Sequence, residues 1–317
     1  SPLGNDRVYG ELLSIQAQCV SDEGYTAYDV NNDVGLNIHN YTNNKMNDFW
    51  RQCYMGIERA NVLLENAHKA TDVDAKTLAS IMAEAKFMRG YYHFLLAQYF
   101  GSVPVKTTAS KDPNQTSFPR AETEKEVYDQ ILKDMTEAEP DLDPINSAEL
   151  KSTSSRVSKS AAQGILARVC LKMAGYPLNE PTKYKDALEW ATKVKTSYPH
   201  TLLTSKDTLS VVNLRGVPVW YAAANNNPAY FNNGYAQVFL NEMTNRYDVR
   251  ESIWEVDYFI QGVSATKTSN IGVQIGLGGN DPVFGNSGPV INAQQYLYNK
   301  YAPGDLRRDW AIAPYSK

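Results

Sequence analysis

Apolar residues recur at every third or fourth position through the first two-thirds of the chain, a spacing that is typical of one-sided helices. This spacing predicts five helices, at residues 44–69, Leu78 to Tyr99, Thr123 to Ala138, Ser158 to Met173, and from Pro181 to Val194. Their ends carry recognisable signals. Gly101 and Pro104 follow the second helix, and Thr123 stands three residues before Glu126, which predicts a capping box. The chain is therefore expected to be mainly helical.

The helices are expected to pair as hairpins. The spacing of Tyr184, Ala187, Trp190 and Ala191 resembles part of a tetratricopeptide (TPR) unit, although the repeat period is irregular. Beyond Thr201 the texture changes, and Tyr221–Gly234 and Gly272–Gly288 are rich in Asn, Gly and Pro, which predicts loops.

The predicted fold is thus mainly α: TPR-like helical hairpins form a scaffold beside a loop-rich, irregular ligand-binding region. We interpret residues 1–317 as a single domain, with the scaffold at 44–200 and the loop-rich region at 201–317.

Composition and charge narrow the possible partners. The 317 residues carry a net charge of −4 with a pI near 5.7, and no basic cluster stands out, which argues against nucleic acid as a ligand. No apolar run approaches the roughly 20 residues of a membrane span. The chain contains 21 Tyr, 5 Trp and 9 Phe, with many Asn in the same stretches. That pairing suits recognition of sugars, and equally a Tyr-rich core.

Residues that could support catalysis are scattered. The three cysteines form no CxxC pair, and Cys53 and Cys170 fall on apolar helix faces, where buried thiols are expected. The four histidines show no HExxH spacing, and His93 is expected to be a packed or surface residue of its helix. Neither a nucleophile elbow nor a P-loop is found. We therefore predict a protein that is not an enzyme, although paired carboxylates of the glycosidase kind cannot be recognised from sequence alone.

Two further motifs fail on their context. Gly276-Leu277-Gly278-Gly279 superficially matches a dinucleotide loop, but no helix pattern follows it and Asp281-Pro282 would block one. Asp29, Asn31 and Asp33 have the opening spacing of a calcium EF-hand, yet position 40 is Asn40 where the bidentate Glu should stand. No cofactor and no metal site is predicted, and structural calcium of another kind is left open.

The segment AEAKFMRGYYHFLLAQYFGSVPV, at residues 83–105, closely resembles the hallmark of the SusD/RagB family, with Gly90 replacing the usual Ala. Further blocks resemble the family in the same order: Trp50 to Ala67, Phe118 to Leu142, Val157 to Ala174, Glu251 to Phe259 and Tyr301 to Arg308.

This resemblance implies a lipoprotein on the outer face of the outer membrane of a Gram-negative Bacteroidetes bacterium. It also implies a partner, a SusC-like TonB-dependent transporter, to which the protein delivers glycans or, in the RagB branch, peptides. This chain is expected to lack both the lipidated N-terminal Cys that anchors such proteins and the C-terminal part of the family's usual length.

The family's ligand-contacting loops vary, so the candidate site residues are chosen by chemistry: aromatic rings stack on sugars and polar groups bond hydroxyls. One cluster lies in the polar segment Tyr25 to Tyr41, and the second surrounds Trp220, with two outer candidates. The predicted ligand-binding residues are Tyr28, Asp29, Asn31, Tyr41, Trp220, Tyr221, Tyr230, Phe231, Tyr258 and Phe284. Packing in the core is expected instead for Trp50, Tyr54, Tyr92, Trp190 and Trp254.

Glycan binding for uptake is the leading hypothesis. RagB-like peptide binding is the first alternative, and a TPR-like docking scaffold without its own ligand is the second. An unrecognised glycoside hydrolase is disfavoured.

Overall fold

A computed structural model describes most of the helical part of the chain and portions of the rest. The described residues are 8–9, 12–13, 21–26, 44–112, 114, 118–148, 150, 155–204, 234–243, 248–256, 279–281, 285–287 and 291–312.

All five predicted helices are present, and the mainly α prediction is confirmed. They are α1 (Asn44–Asn66), α2 (Ala75–Phe100), α3 (Glu124–Ala138), α4 (Lys159–Ala174) and α5 (Lys183–Ser197). Short 3₁₀ turns follow α1 at Ala67–Lys69 and α3 at Glu139–Asp141.

The start of each helix from α2 to α4 is capped by a side chain of the expected type. Asp74 accepts from the backbone N–H of Thr77 (3.0 Å), and Ser158 accepts from that of Ala161 (3.1 Å). At α3, Thr123 Oγ1 accepts from the Glu126 N–H (3.3 Å), as the capping box predicts. The returning Glu126 carboxylate accepts from the N–H of Glu122, one residue earlier than the motif prescribes (3.3 Å).

Each helix packs against the next along the chain, so the five helices form successive hairpins around one core. The largest fully buried side chains of this core in the helices are Phe49, Ile57, Phe87, Leu96, Tyr128, Ile131, Met135, Leu166 and Met173.

Glycines allow two of the close helix contacts. A Cβ at Gly56 of α1 would collide with the ring of Tyr92 on α2. A Cβ at Gly90 would lie 3.2 Å from both Asp134 Cβ and Met135 Cγ of α3. The glycine at position 90, where the family usually has Ala, therefore suits a tight α2–α3 approach in this chain.

The region after residue 200 contains more regular structure than predicted. Helix α6 (Gly234–Met243) was not predicted, and strands β2 (Gly279–Asp281) and β3 (Gly285–Ser287) pair antiparallel within the segment that was predicted as loop. That part of the loop prediction is wrong, because a ladder of backbone hydrogen bonds does not need apolar side chains. The subdivision at residue 200 stays a prediction.

Two segments that are far apart in the sequence pair in a second small sheet. Strand β1 (Gly24–Thr26) pairs antiparallel with β4 (Ile291–Ala293), and Gln294 N–H donates to the Glu23 carbonyl (2.9 Å). Helices α7 (Gln295–Lys300) and α8 (Leu306–Ala311) follow β4. Within the described ranges no helix is both long and apolar enough to cross a membrane.

Candidate ligand-binding site

The ten predicted ligand-binding residues all fall outside the described residues, as do the three positions considered for calcium, Asp29, Asn31 and Asp33. The ten are Tyr28, Asp29, Asn31, Tyr41, Trp220, Tyr221, Tyr230, Phe231, Tyr258 and Phe284. They stay a prediction. What the structure does give is the set of elements to which the two clusters are attached.

The first cluster is attached at both ends to ordered elements. Its segment, Tyr25 to Tyr41, begins within β1 and ends three positions before Asn44, the first residue of α1. Strand β1 is held by β4, and α1 is held against α2 by ring contacts. Trp50 meets Phe100 edge-on with ring centroids 5.1 Å apart.

The second cluster is attached where two distant parts of the chain touch. The backbone of Gly234, at the start of α6, lies so close to the backbone of Leu203 that a Cβ there would collide with it. The segment 205–233 therefore leaves and returns at one place. That position needs a glycine because the obstacle is backbone, which cannot rotate away.

The segment 248–256, which begins with a turn, contacts the chain beside this junction. The His200 ring and the Thr201 N–H donate to the carbonyls of Val249 (2.7 Å) and Arg250 (2.9 Å), and Leu203 N–H donates to the Glu251 carboxylate (2.7 Å). Tyr258 follows this segment by two residues.

Trp254 attaches the same segment to α2. Its ring meets Tyr91 edge-on at 4.9 Å between centroids and Phe87 at 5.5 Å, and its Nε1–H donates to the Ser155 carbonyl (3.2 Å). All five aromatic residues predicted to pack in the core do so: Tyr92 is buried, and Trp50, Tyr54, Trp190 and Trp254 are half-buried against the core.

Helix α2, which carries the hallmark sequence, buries the charged side chain of Arg89 inside the protein. The Arg89 guanidinium donates to both carboxylate oxygens of Asp134 on α3 (2.6 and 2.8 Å), to Asn61 Oδ1 on α1 (2.9 Å) and to the Thr107 carbonyl (3.0 Å). The Arg89 and Asp134 side chains are only 10% and 1% exposed. Three motif blocks of the sequence thus converge on one buried hydrogen-bonded network.

His93 completes this network as a neutral ring. Its Nε2 accepts from the Lys106 N–H (3.2 Å), so Nδ1 carries the proton and donates to the Arg89 carbonyl (3.0 Å). Burial lowers the pKa of His93 to about 4. Both ring nitrogens are therefore occupied, and the expectation of a packed histidine is confirmed.

A polar stripe on α1, missed in the sequence, holds the backbone of the loop after α2. Tyr54, Glu58, Asn61 and Glu65 follow the spacing of one helix face. The Tyr54 hydroxyl donates to the Pro104 carbonyl (2.7 Å), Asn61 donates to the Thr108 carbonyl (3.0 Å), and Glu58 and Glu65 accept from the N–H groups of residues 110 and 109 (both 2.8 Å). The spacing of these four residues along the sequence, by four, three and four positions, was the signal that could have revealed the stripe.

The titratable groups of this scaffold are tuned by burial. Burial raises the pKa of Cys53 to about 12 and that of Cys170 to about 11, so both thiols are protonated at neutral pH. Burial also raises the pKa of Glu84, an effect that its ion pair with Arg156 opposes. Across the described ranges, no three metal-binding side chains come together.

Comparisons with known proteins find SusD-like relatives of this chain. The model of a SusD-like family, described as starch-binding and associating with the outer membrane, matches residues 7–171. The SusD-like protein P2 of Formosa agariphila is 29% identical over 102 residues, which are 31% of this chain and 20% of that protein.

Solved structures resemble most of the chain. A SusD homologue of Bacteroides thetaiotaomicron covers 92% of it with a TM-score of 0.69 and 23% identity, and a SusD superfamily protein of Parabacteroides distasonis covers 92% with 0.64 and 26%. A structure determined with a xylogluco-oligosaccharide covers 98% with a TM-score of 0.69 and 17% identity.

The chain spans about half the length of these solved relatives, 51%, 54% and 55%. The family match extends over just over half of this chain and includes the hallmark helix whose arginine organises the buried network. The chain therefore belongs to the SusD-like family.

Proposed function

We propose that this protein binds oligo- or polysaccharide glycans at the cell surface, without cleaving them, and supplies them to a SusC-like TonB-dependent transporter. The observation that carries the proposal is the match of residues 7–171 to a family described as starch-binding and outer-membrane-associated. The structure with a xylogluco-oligosaccharide is a precedent for a sugar ligand in a protein of this fold.

The attachment of the two predicted ligand segments to ordered elements supports a binding role. Two segments rich in Tyr and Asn are attached to a sheet, to α1 and to the junction of Leu203 with Gly234. Binding residues on loops that a rigid scaffold holds pay less ordering entropy when a ligand arrives. Modest contacts to single sugars would add up along a polymer.

The site residues proposed for this role are the ten named above. Rings such as Tyr41 and Trp220 would stack on sugar faces, and Asp29 and Asn31 would bond hydroxyls. Attachment at the outer face of the outer membrane, through an N-terminal lipid, is part of the same proposal. Co-purification of a SusC-like transporter with the tagged protein from solubilised outer membranes would support the partnership, and its absence would count against it.

Affinity gel electrophoresis of the protein against plant, host and microbial polysaccharides tests glycan capture. We expect one polysaccharide class to retard migration, and Trp220→Ala or Tyr41→Ala to weaken the effect. Tyr184→Ala is the matched control, because Tyr184 is an exposed tyrosine (54%) on α5, away from both clusters in sequence. Incubation with the retarding polysaccharide should release no new reducing ends.

Other outcomes discriminate between the alternatives. Retardation that neither substitution weakens would keep glycan binding and discard the ten residues as the site. If no glycan retards the protein, the proposal fails, and binding of extended peptides or pure docking to the transporter becomes the better explanation.

A further inference from the structure

Exposed aromatic rings are the natural starting point for a sugar subsite among the described residues. Four of the exposed rings already contact another side chain: Tyr99 meets Phe49, Tyr235 meets Phe239, and the ammonium groups of Lys106 and Lys300 lie over Phe118 and Tyr296.

Three exposed rings, those of Tyr25, Tyr176 and Tyr184, make no such ring or cation contact in the described part of the chain. Tyr176 stands beside the cis peptide bond to Pro177, and Tyr184 lies on α5. Tyr25 differs from both because it lies on strand β1 and is the first residue of the segment that carries the first predicted ligand cluster.

The pairing of β1 with β4 places a polar amide next to the Tyr25 ring. Tyr25 is directly opposite Asn292 in the antiparallel register, so both side chains point to the same face of the sheet. Directly opposed residues have Cβ atoms about 5 Å apart. Ile291 and Ala293 alternate to the other face.

This face therefore offers a flat ring beside a hydrogen-bonding amide, on a backbone that two strands hold. Tyr25 is 45% exposed and Asn292 is half-buried. A pyranose ring needs both groups, an apolar surface for its C–H face and an amide for its hydroxyls. The carboxylates of Asp22 and Glu23, both exposed in the turn before β1, add acceptors nearby.

We propose that the Tyr25–Asn292 face of the β1–β4 sheet is a saccharide subsite that extends the predicted loop site. The inference rests on the proposed glycan binding and names residues outside the ten. Tyr28 lies three positions after Tyr25 in the chain, so their Cα atoms are at most about 11 Å apart. One oligosaccharide can therefore contact the sheet face and the start of the first cluster together.

The test is isothermal titration or affinity electrophoresis with the polysaccharide that retards the wild-type protein. Tyr25→Thr removes the ring but keeps a residue that favours strands. It should weaken binding about three- to tenfold, the range expected for one lost aromatic stack. Tyr25→Phe and Tyr25→Trp keep a ring and should bind within about twofold of the wild type. Tyr184→Thr, equally exposed on α5, should bind as the wild type does.

Each further outcome decides against a stated part of the inference. If the wild type binds a glycan and Tyr25→Thr binds it equally well, the subsite is wrong while the proposed function stands. Should Tyr25→Phe and Tyr25→Trp lose as much affinity as Tyr25→Thr, stacking is not the mechanism and the subsite as proposed is overturned. If the wild type binds no glycan, the proposed function itself has failed.

Discussion

Replacing Asp134 by alanine is the sharpest test of the buried network that organises the scaffold. Asp134 accepts both Arg89 donors at 2.6 and 2.8 Å and a third hydrogen bond from Gln130 Nε2 at 2.9 Å. Its side chain is 1% exposed. Asp134→Ala would therefore leave the Arg89 guanidinium buried, with two of its N–H groups unpaired and its charge uncompensated.

The expected loss of stability follows from the interactions that Arg89 loses when Asp134 is removed. Each buried donor left without an acceptor costs about 1–3 kcal/mol, and breaking a buried ion pair by removing one partner costs about 3–5 kcal/mol in total. Arg89 keeps its bonds to Asn61 and the Thr107 carbonyl, which prevents the cost from rising further. We expect Asp134→Ala to lower the free energy of unfolding by about 3–5 kcal/mol.

Urea unfolding followed by circular dichroism measures this loss. Asp129→Ala is the matched control, because Asp129 lies on the same helix and pairs with Lys125 at 2.8 Å, yet both side chains are 53% exposed. An exposed pair contributes about 0–1 kcal/mol. If the two substitutions cost the same, within about 1 kcal/mol, the buried network does not stabilise the scaffold and the reasoning is wrong.

Three further predictions test the scaffold. Gly56→Ala, whose new methyl group would collide with the Tyr92 ring, should cost about 1–3 kcal/mol, whereas Gly164→Ala, with no atom within 4 Å, should gain about 0.5–1 kcal/mol in the same urea assay. Thr123→Ala removes the cap of α3 and should cost about 1 kcal/mol. Because burial lowers the pKa of His93 from 6.5 to about 4, the unfolded chain binds a proton that the folded chain refuses between these values. Stability should fall by up to about 3 kcal/mol as the pH drops through that window, and His93→Gln should lack this component, as urea midpoints at pH 7, 5.5 and 4.5 would reveal.

The helices of the scaffold could be predicted because their signals are local. Burial of one face imposes the three-or-four spacing, and the side chains of Thr123 and Ser158 mark helix starts within a few residues of the backbone groups that they cap. The expected burial of Cys53 and Cys170 is confirmed for the same reason: both lie on helix faces whose apolar spacing is regular.

The missed elements depend on contacts between distant parts of the chain. Helix α6 begins at Gly234, which packs against the Leu203 backbone, and no pattern within the ten residues of the helix indicates this contact. Strands β1 and β4 have three residues each and are far apart in the sequence. Their pairing is specified by register with a partner, which a local window of sequence does not contain.

The candidate site is harder to predict than the scaffold for a related reason. A core position such as Phe87 is recognisable because burial requires its neighbours to repeat at helical spacing. A ring proposed to stack on a sugar, such as that of Trp220, needs only to reach its ligand, so its position follows no helical period. Composition could point to segments rich in Tyr and Asn, but it could not separate a ring that faces solvent from one that packs under its own loop.

Substitutions at the hallmark residues should therefore change the stability of the fold, whereas substitutions at the proposed ligand residues should change ligand affinity. Arg89 is hydrogen-bonded to α1, to α3 and to the loop after α2, so we expect a change at its partner Asp134 to lower the folded fraction and to leave the proposed sugar preference of the folded protein unchanged. Tyr25 stands exposed on a two-stranded sheet, so we expect loss of its ring to lower the proposed glycan affinity with little effect on unfolding. Suppose that an Asp134 variant is fully folded under the assay conditions and yet binds a different polysaccharide. That result would contradict the separation between residues that set stability and residues that set ligand preference. It would mean that the network also positions the ligand loops.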